Sequence, residues 1–426
     1  MPRHQLHHND AGGECMKRTV QATLVLIMLA AALSVQGQTP LSIFHFKVPW
    51  IDPWNEMTAK FQADNPGIRV STEVVGGGAD WRTALKTRFQ ANEGPDIFII
   101  EGFSDYQLWK EYIAPLDTQP WAKNLLPIAR QAGTFNGRLM AMAVNIEGYG
   151  FIYNKDLFAK AGIRETPRTF SQLKATTEKL KTAGITPFAS GYGTWWVISN
   201  HFTNIPFAHQ SNPMEFIDGV NKGTVKISDN PVFRHWRNVF DLVLANCEPN
   251  PLTTDHAKQT SMFANGSVAM IQQGNWKEAA IYGASPNMKM GFLPIPISDN
   301  PAISDRIPVG IPFMFVVNQK APKARQDAAF RFLNWMVSTQ TGQTYLTEKF
   351  LAIPAFSNIP APNLKDLSRD VLEYAKAGKT VPWVFSYWPD GAPQQFSDLG
   401  QKYADGKLTF DQYLTQLQET WNKLKK

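Results

Sequence analysis

Residues 262–276 read MFANGSVAMIQQGNW, and the order of signals in that stretch decides the fold. An apolar turn ends at Asn265-Gly266, where glycine can take the left-handed conformation that stops a helix. Val268 to Ile271 then reads as a short buried strand, and Gly274-Asn275 breaks it just before Trp276. A side chain set immediately beyond the carboxyl end of a strand stands where open α/β sheets bind their ligands. A tryptophan taken at random is more often a core residue. The Gly-x-Trp break after the strand shifts the reading toward an exposed stacking face.

Outward from this stretch, strands and helices alternate. Leu41 to Phe46 predicts a first strand. Asp52 is expected to cap a helix with Pro53 at its first position, carrying Trp54, Met57 and Phe61 at helical spacing. Asn65-Pro66-Gly67 ends that helix, and Ile68, Val70, Thr72 and Val74 alternate as a second strand before Gly76-Gly77-Gly78. Trp81, Leu85 and Phe89 mark the next helix, and Asp96 to Ile100 is an apolar run suited to a sheet covered on both faces. Thr169 and Gln172 predict a capping box for a helix ending at Gly184, with a strand at Pro187 to Ala189 behind it. Phe313 to Val317 follows as a strand, 324–340 as a helix, and 408–425 as a closing amphipathic helix. Such alternation predicts open α/β sheets with right-handed crossovers. The proline-rich stretches 294–312 and 354–393 read either as crossings between lobes or as ordinary surface loops. Trp54 and Trp81 sit on helical apolar stripes and are assigned to packing.

The start of the chain predicts export. Met16-Lys17-Arg18 forms a basic region, and residues 20–35 an apolar core too short for a comfortable membrane span. Val35-Gln36-Gly37 suits a cleavage site, so residues 1–37 are expected to be a removed signal region. That leaves about 390 residues, ample for two lobes. Cys15 lies upstream of the apolar core and cannot be a lipidated residue at the cleavage site, and Cys247 is then alone, which excludes an intramolecular disulfide. These features point to a soluble periplasmic protein rather than a lipoprotein. A net charge of +6 without a dense Lys/Arg block does not argue for nucleic acid.

Several chemistries lack their motifs. There is no P-loop, no complete dinucleotide fingerprint, no Gly-x-Ser-x-Gly elbow and no His-Glu-x-x-His. Scattered histidines and one cysteine make no recognisable metal set. No cofactor, metal or catalytic residue is therefore expected. A carboxylate pair for glycoside hydrolysis is not testable this way, because its spacing is spatial.

The order of four segments resembles a known family, the family 1 extracellular solute-binding proteins of carbohydrate ABC importers, the group that includes maltose-binding protein. The segments are Trp54-Asn-Glu-Met-x3-Phe61-x3-Asn65-Pro-Gly-Ile-x-Val70, Gly94-Pro-Asp-Ile97, Ile152-Tyr-Asn-Lys-Asp-Leu157 with Ala161-Gly-Ile163, and Phe263-x2-Gly266-x2-Ala269-Met270-x3-Gly274-x-Trp276. Gly406-x2-Thr409-x4-Leu414-x2-Leu417 is similar to the family's closing helix. The resemblance implies a two-lobed periplasmic binding protein of type II-like form, each lobe an open α/β sheet, with sugar in the cleft between them. It implies crossovers near Asn145 to Gly148, Pro308 to Phe313 and Ala352 to Ala355. The first lobe is then expected at 38–146 plus 313–353, and the second at 147–312 plus 354–426. A membrane permease would recognise the closed form, and a monomer is expected.

Trp276 matches the family's stacking tryptophan, and Glu147 its acidic hinge residue. The lysine-tryptophan segment Lys47-Val-Pro-Trp50-Ile-Asp-Pro-Trp54 and the region 98–106 depart from maltose-binding protein, so the resemblance does not fix maltose as the ligand. The strand-end rule adds Trp50, Glu101, Tyr192, Trp195 and Trp196, and the aromatic crossing segment adds Trp388. The leading hypothesis is a binding protein without catalysis that delivers an oligosaccharide to an ABC importer. Its rivals are a secreted glycoside hydrolase or lyase using Glu101 and Glu147, and the same fold carrying a polyamine or a phosphorylated polyol.

Overall fold

A computed structural model describes residues 37–425; apart from Gly37, the signal-region reading of residues 1–37 falls outside the described residues. The chain builds two sheets, one in each of two lobes. In the first lobe, β1 (Thr39–His45), β2 (Ile68–Val74) and β3 (Ile97–Ile100) run parallel, with β1 between the other two. A hairpin, β4 (Thr134–Phe135) with β5 (Arg138–Leu139), stands apart from the sheet. The short β6 (Met142–Ala143) takes an edge of it. The chain then enters β7 (Asn145–Asn154), the ten-residue strand on which the second sheet is organised. Around it stand β8 (Thr186–Ala189), β9 (Val268–Gly274), β10 (Met290–Leu293) and β11 (Ile307–Gly310). The chain returns through β12 (Met314–Val317), antiparallel to β3 and β6, before β13 (Ile353–Pro354) and β14 (Thr380–Val381) complete the second lobe.

Local sequence explains most of these elements. All four residues of β3 and all four of β12 are buried, as strands covered on both faces require. Gly266 takes φ +77° and ends the helix His256–Ala264. The helix Phe410–Leu424 opens with a full capping box: Thr409 accepts from the Gln412 amide, and the Gln412 side chain accepts from the Thr409 amide. At Thr169 only half of the expected box forms, because the Gln172 side chain accepts from the Arg168 amide instead. Asp52 does not act as a cap. A 3₁₀ turn, Val48–Trp50, runs straight into the helix Ile51–Asp64, which leaves no extended residue for a cap at position 52.

Three connections run between the two sheets, from β6 to β7, from β11 to β12 and from β12 to β13, and all converge on the first residues of β7. Asn145 and Ile146 pair with Pro354 and Ile353, while Glu147 and Gly148 pair with Gly310 and Val309. Just beyond, Leu126 and Ser357 amides bond the carbonyls of Ala355 and Asn124, so the chain past β13 still leans on the first lobe.

Trp54 is wholly buried beneath the first sheet, with its indole N–H on Thr72 and its ring edge-on to His45 and Phe332. Trp54→Ala is expected to lower unfolding free energy by about 3–5 kcal/mol, read from urea unfolding monitored by circular dichroism; a loss below about 1 kcal/mol would show that the site collapses without cost.

Candidate functional site

A cavity of about 200 Å³ lies in the cleft between the lobes and opens to solvent. Its walls come from both sheets. The first lobe supplies the loop after β1, the glycine loop after β2 and Glu101 after β3. The second supplies Glu147 of β7, the segment after β8, Trp276 after β9, and Trp383 with Phe385 beyond β14.

Trp276 is held by its own strand end. β9 runs three residues past the apolar stretch, through Gln272 and Gln273, which are polar yet buried. The Trp276 indole N–H donates to Gln273 Oε1 at 3.1 Å, Gln273 Nε2 to Gln259 Oε1 at 2.7 Å, and Gln259 Nε2 to the Ala189 carbonyl at 2.8 Å. The ring folds back over Gly274, where a Cβ would lie 2.0 Å from it. Glycine is thus required there by close approach. Gly310 plays the same part for Trp383, whose ring stands at 89° to that of Trp276 with centroids 6.2 Å apart. Both faces of this corner are therefore tryptophan laid on bare backbone.

Charges line the same wall. The Lys47 ammonium pairs with Glu147 Oε1, which also accepts from Asn145 Nδ2 at 3.0 Å. Lys47 lies 5.4 Å from the Phe313 ring centre, a position that favours the cation. Glu101 pairs with Arg82, which grips Asp105 through Nε at 2.9 Å. Burial raises the Glu101 carboxyl above its ordinary value, with Arg82 opposing and Asp105 adding to the shift. Burial pushes His201 down to about 3, helped by Lys47 and Lys277. His256 is lowered by burial and then by Lys277.

The lobes touch across the cleft. The Trp195 indole donates to the Gly78 carbonyl at 3.1 Å, and His256 Nε2 meets the Gly77 carbonyl at 2.7 Å. Because a carbonyl only accepts, Nε2 carries the proton, and Nδ1 accepts from Lys277 Nζ at 2.7 Å. Farther along the rim, Ser104 Oγ donates to the Trp388 carbonyl and Lys86 pairs with Asp390.

Of the expected site residues, Trp276, Glu147, Glu101, Trp195 and Trp196 meet in this one cleft. Trp50 does not reach it; it lines a smaller annex on the hinge side, its ring stacked 4.3 Å from Phe350. Tyr192 and Trp388 belong to the second-lobe core instead, each 1% exposed. Tyr192 turns inward onto Phe202 and Phe240, and Trp388 onto Phe207 and Phe396. The crossing segment does wall the cleft, but through Trp383 and Phe385. Trp81, read as packing alone, is buried and also lines the cleft. Asn200 and His201 were not foreseen; they sit in a π-helical turn, Val197–Thr203, a distortion frequent at functional sites. Lys277 and His256 were missed as well.

Comparison with known proteins follows this geometry. The chain belongs to the bacterial extracellular solute-binding proteins, whose family model matches residues 49–343. It is 25% identical over 390 residues to an uncharacterized ABC transporter extracellular-binding protein of Pyrococcus horikoshii, covering 84% of this chain and 83% of that one. It is 25% identical over 333 residues to the maltotriose-binding protein of Pyrococcus abyssi, covering 76% and 68%. Among solved structures, a chitin oligosaccharide binding protein superposes with a TM-score of 0.78 at 21% identity, over 91% of this chain and 99% of that one. The solute-binding protein RafE in complex with raffinose gives 0.78 at 20%, over 91% and 100%. At these identities the structures speak for the shared two-lobed fold.

Neutral burial of His201 has a measurable consequence. Its pKa lies below the value near 6.5 of an unfolded chain, so its contribution to stability is full above about 6.5 and is lost as pH falls toward 3. NMR titration of the histidine ring carbons should leave His201 neutral at pH 5; a midpoint near 6.5 would contradict the burial described.

Proposed function

We propose that this chain captures a sugar of oligosaccharide size between its lobes, leaves it chemically unchanged, and presents it to the permease of an ABC importer. The observation that carries the reading is the corner formed by Trp276 and Trp383 within a wall of unspent polar groups. Flat aromatic faces suit the C–H faces of sugar rings. Asn200, His201 and Trp383 line the cleft, and Asn200 Oδ1, His201 Nδ1 and Trp383 Nε1 have no hydrogen-bond partner in the protein, which leaves them for an ordered water or a ligand hydroxyl. Relatives and structural neighbours named for maltotriose, raffinose and chitin oligosaccharides support the same class.

On this reading Trp276 stacks on a ring, Glu147 and Glu101 accept from hydroxyls, and Trp195 and Trp196 close the far side. Trp50 would meet only a ligand that extends into the annex. The lobes, 38–146 with 313–353 and 147–312 with 354–426, close by a hinge at the start of β7. The protein would act as a monomer in the periplasm, after loss of residues 1–37 and without a lipid anchor. The hydrolase alternative is weaker because Glu101 and Glu147 are each engaged by a cation, Arg82 and Lys47. Neither stands ready as a free proton donor facing a free base.

Calorimetry against a panel of mono- and oligosaccharides, with the sugar recovered afterwards, tests the proposal. Saturable one-to-one binding with intact sugar is expected; turnover of the sugar would replace the binding reading with an enzymatic one. Trp276→Ala should weaken binding by about 2 kcal/mol or more. Its ring is only half-buried, so the variant should unfold close to wild type. A variant that unfolds readily yet binds normally while folded would return Trp276 to packing.

A further inference from the structure

Two lysines line the cleft, and their surroundings differ. Lys47 is neutralised by Glu147. Lys277, 9% exposed, donates from Nζ to the neutral His256 ring and lies 5.8 Å from the Trp196 ring centre. Among the described residues no carboxylate lies within ion-pair distance of it. Asp255, whose field reaches it, uses Oδ1 to accept from the amides of Ala257 and Lys258 at the start of its helix. Of the carboxylates that line the cleft, Glu147 is in contact with Lys47 and Glu101 with Arg82, which also holds Asp105. Lys277 is therefore the lining lysine with no carboxylate in contact.

A buried ammonium without a counter-charge is unfavourable. Burial lowers Lys277 to about 8, with Asp255 opposing the shift, so the group is still mainly charged at neutral pH. It follows Trp276 directly in the chain and lines the same cavity. We infer that the ligand of this cleft is an acidic sugar, whose carboxylate pairs with Lys277 beside the ring stacked on Trp276. The inference rests on the sugar reading above and narrows it to uronate-bearing oligosaccharides. A carboxylate fits better than a phosphate, because a phosphate brings up to two negative charges into a wall that also holds Glu101 and Glu147.

Calorimetry at pH 7 with matched pairs decides the matter: xylotriose against glucuronoxylotriose, galactotriose against trigalacturonate, and a phosphorylated maltotriose. The acidic member of at least one pair should bind about tenfold or more tighter than its neutral partner, the scale of one charged hydrogen bond. Lys277→Met should bring that ratio near one, and Lys277→Arg should preserve it. Neutral members binding as tightly or more tightly would overturn the inference and leave the sugar reading intact. Tighter binding of the phosphorylated sugar than of any uronate, or a ratio unmoved by Lys277→Met, would also overturn it. Failure of every sugar to bind would remove both. The wild-type ratio decides alone should a variant fail to fold.

Discussion

Everything in this protein hangs on the first four residues of β7. The chain crosses between its sheets three times, and each crossing is pinned there by backbone pairing, at Asn145–Ile146 to β13 and at Glu147–Gly148 to β11. A joint so narrow lets two rigid lobes rotate with little loss of packing, while fixing where the rotation occurs. The same residues place Glu147 at the floor of the cleft, so the pivot and the binding floor are one piece of backbone. Lys47, reaching from the first lobe to Glu147, ties the state of the floor to the relative position of the lobes.

The cleft wall shows how a sheet edge becomes a binding surface. Strands ending at Gly274 and Gly310 lack the Cβ atoms that would hold an indole off the backbone, so Trp276 and Trp383 lie flat against the main chain. The relay from Trp276 through Gln273 and Gln259 to the Ala189 carbonyl fixes one of those rings. An aromatic ring so placed is pre-organised, and little freedom remains to be lost when a ligand arrives.

Much of the fold was legible because its signals are local. The buried runs of β3 and β12, the glycine stops and the helical stripes each follow from spacing that survives any tertiary context. Motif order picked out Trp276 and Glu147, and both line the cleft. The direction of a side chain beyond a strand is another matter. Tyr192 and Trp388 stand in the segments that wall the cleft, yet their rings turn into the core because large apolar pockets around Phe202 and Phe207 receive them. Trp81 serves a helical stripe and the cleft at once, which periodicity alone cannot separate. His201 and Asn200 depend on a π-helical turn that left no pattern in the sequence. Lys277 could have been found: a lysine following Trp276 in the chain lines the same cavity.

The central claim is that a ligand is enclosed between two lobes that pivot on β7. Small-angle X-ray scattering of the protein with and without a saturating sugar tests it most directly. The account predicts a smaller radius of gyration in the bound state, as the lobes are drawn into the contacts linking Trp195 to Gly78 and His256 to Gly77. An unchanged radius of gyration, with the sugar demonstrably bound, would contradict it.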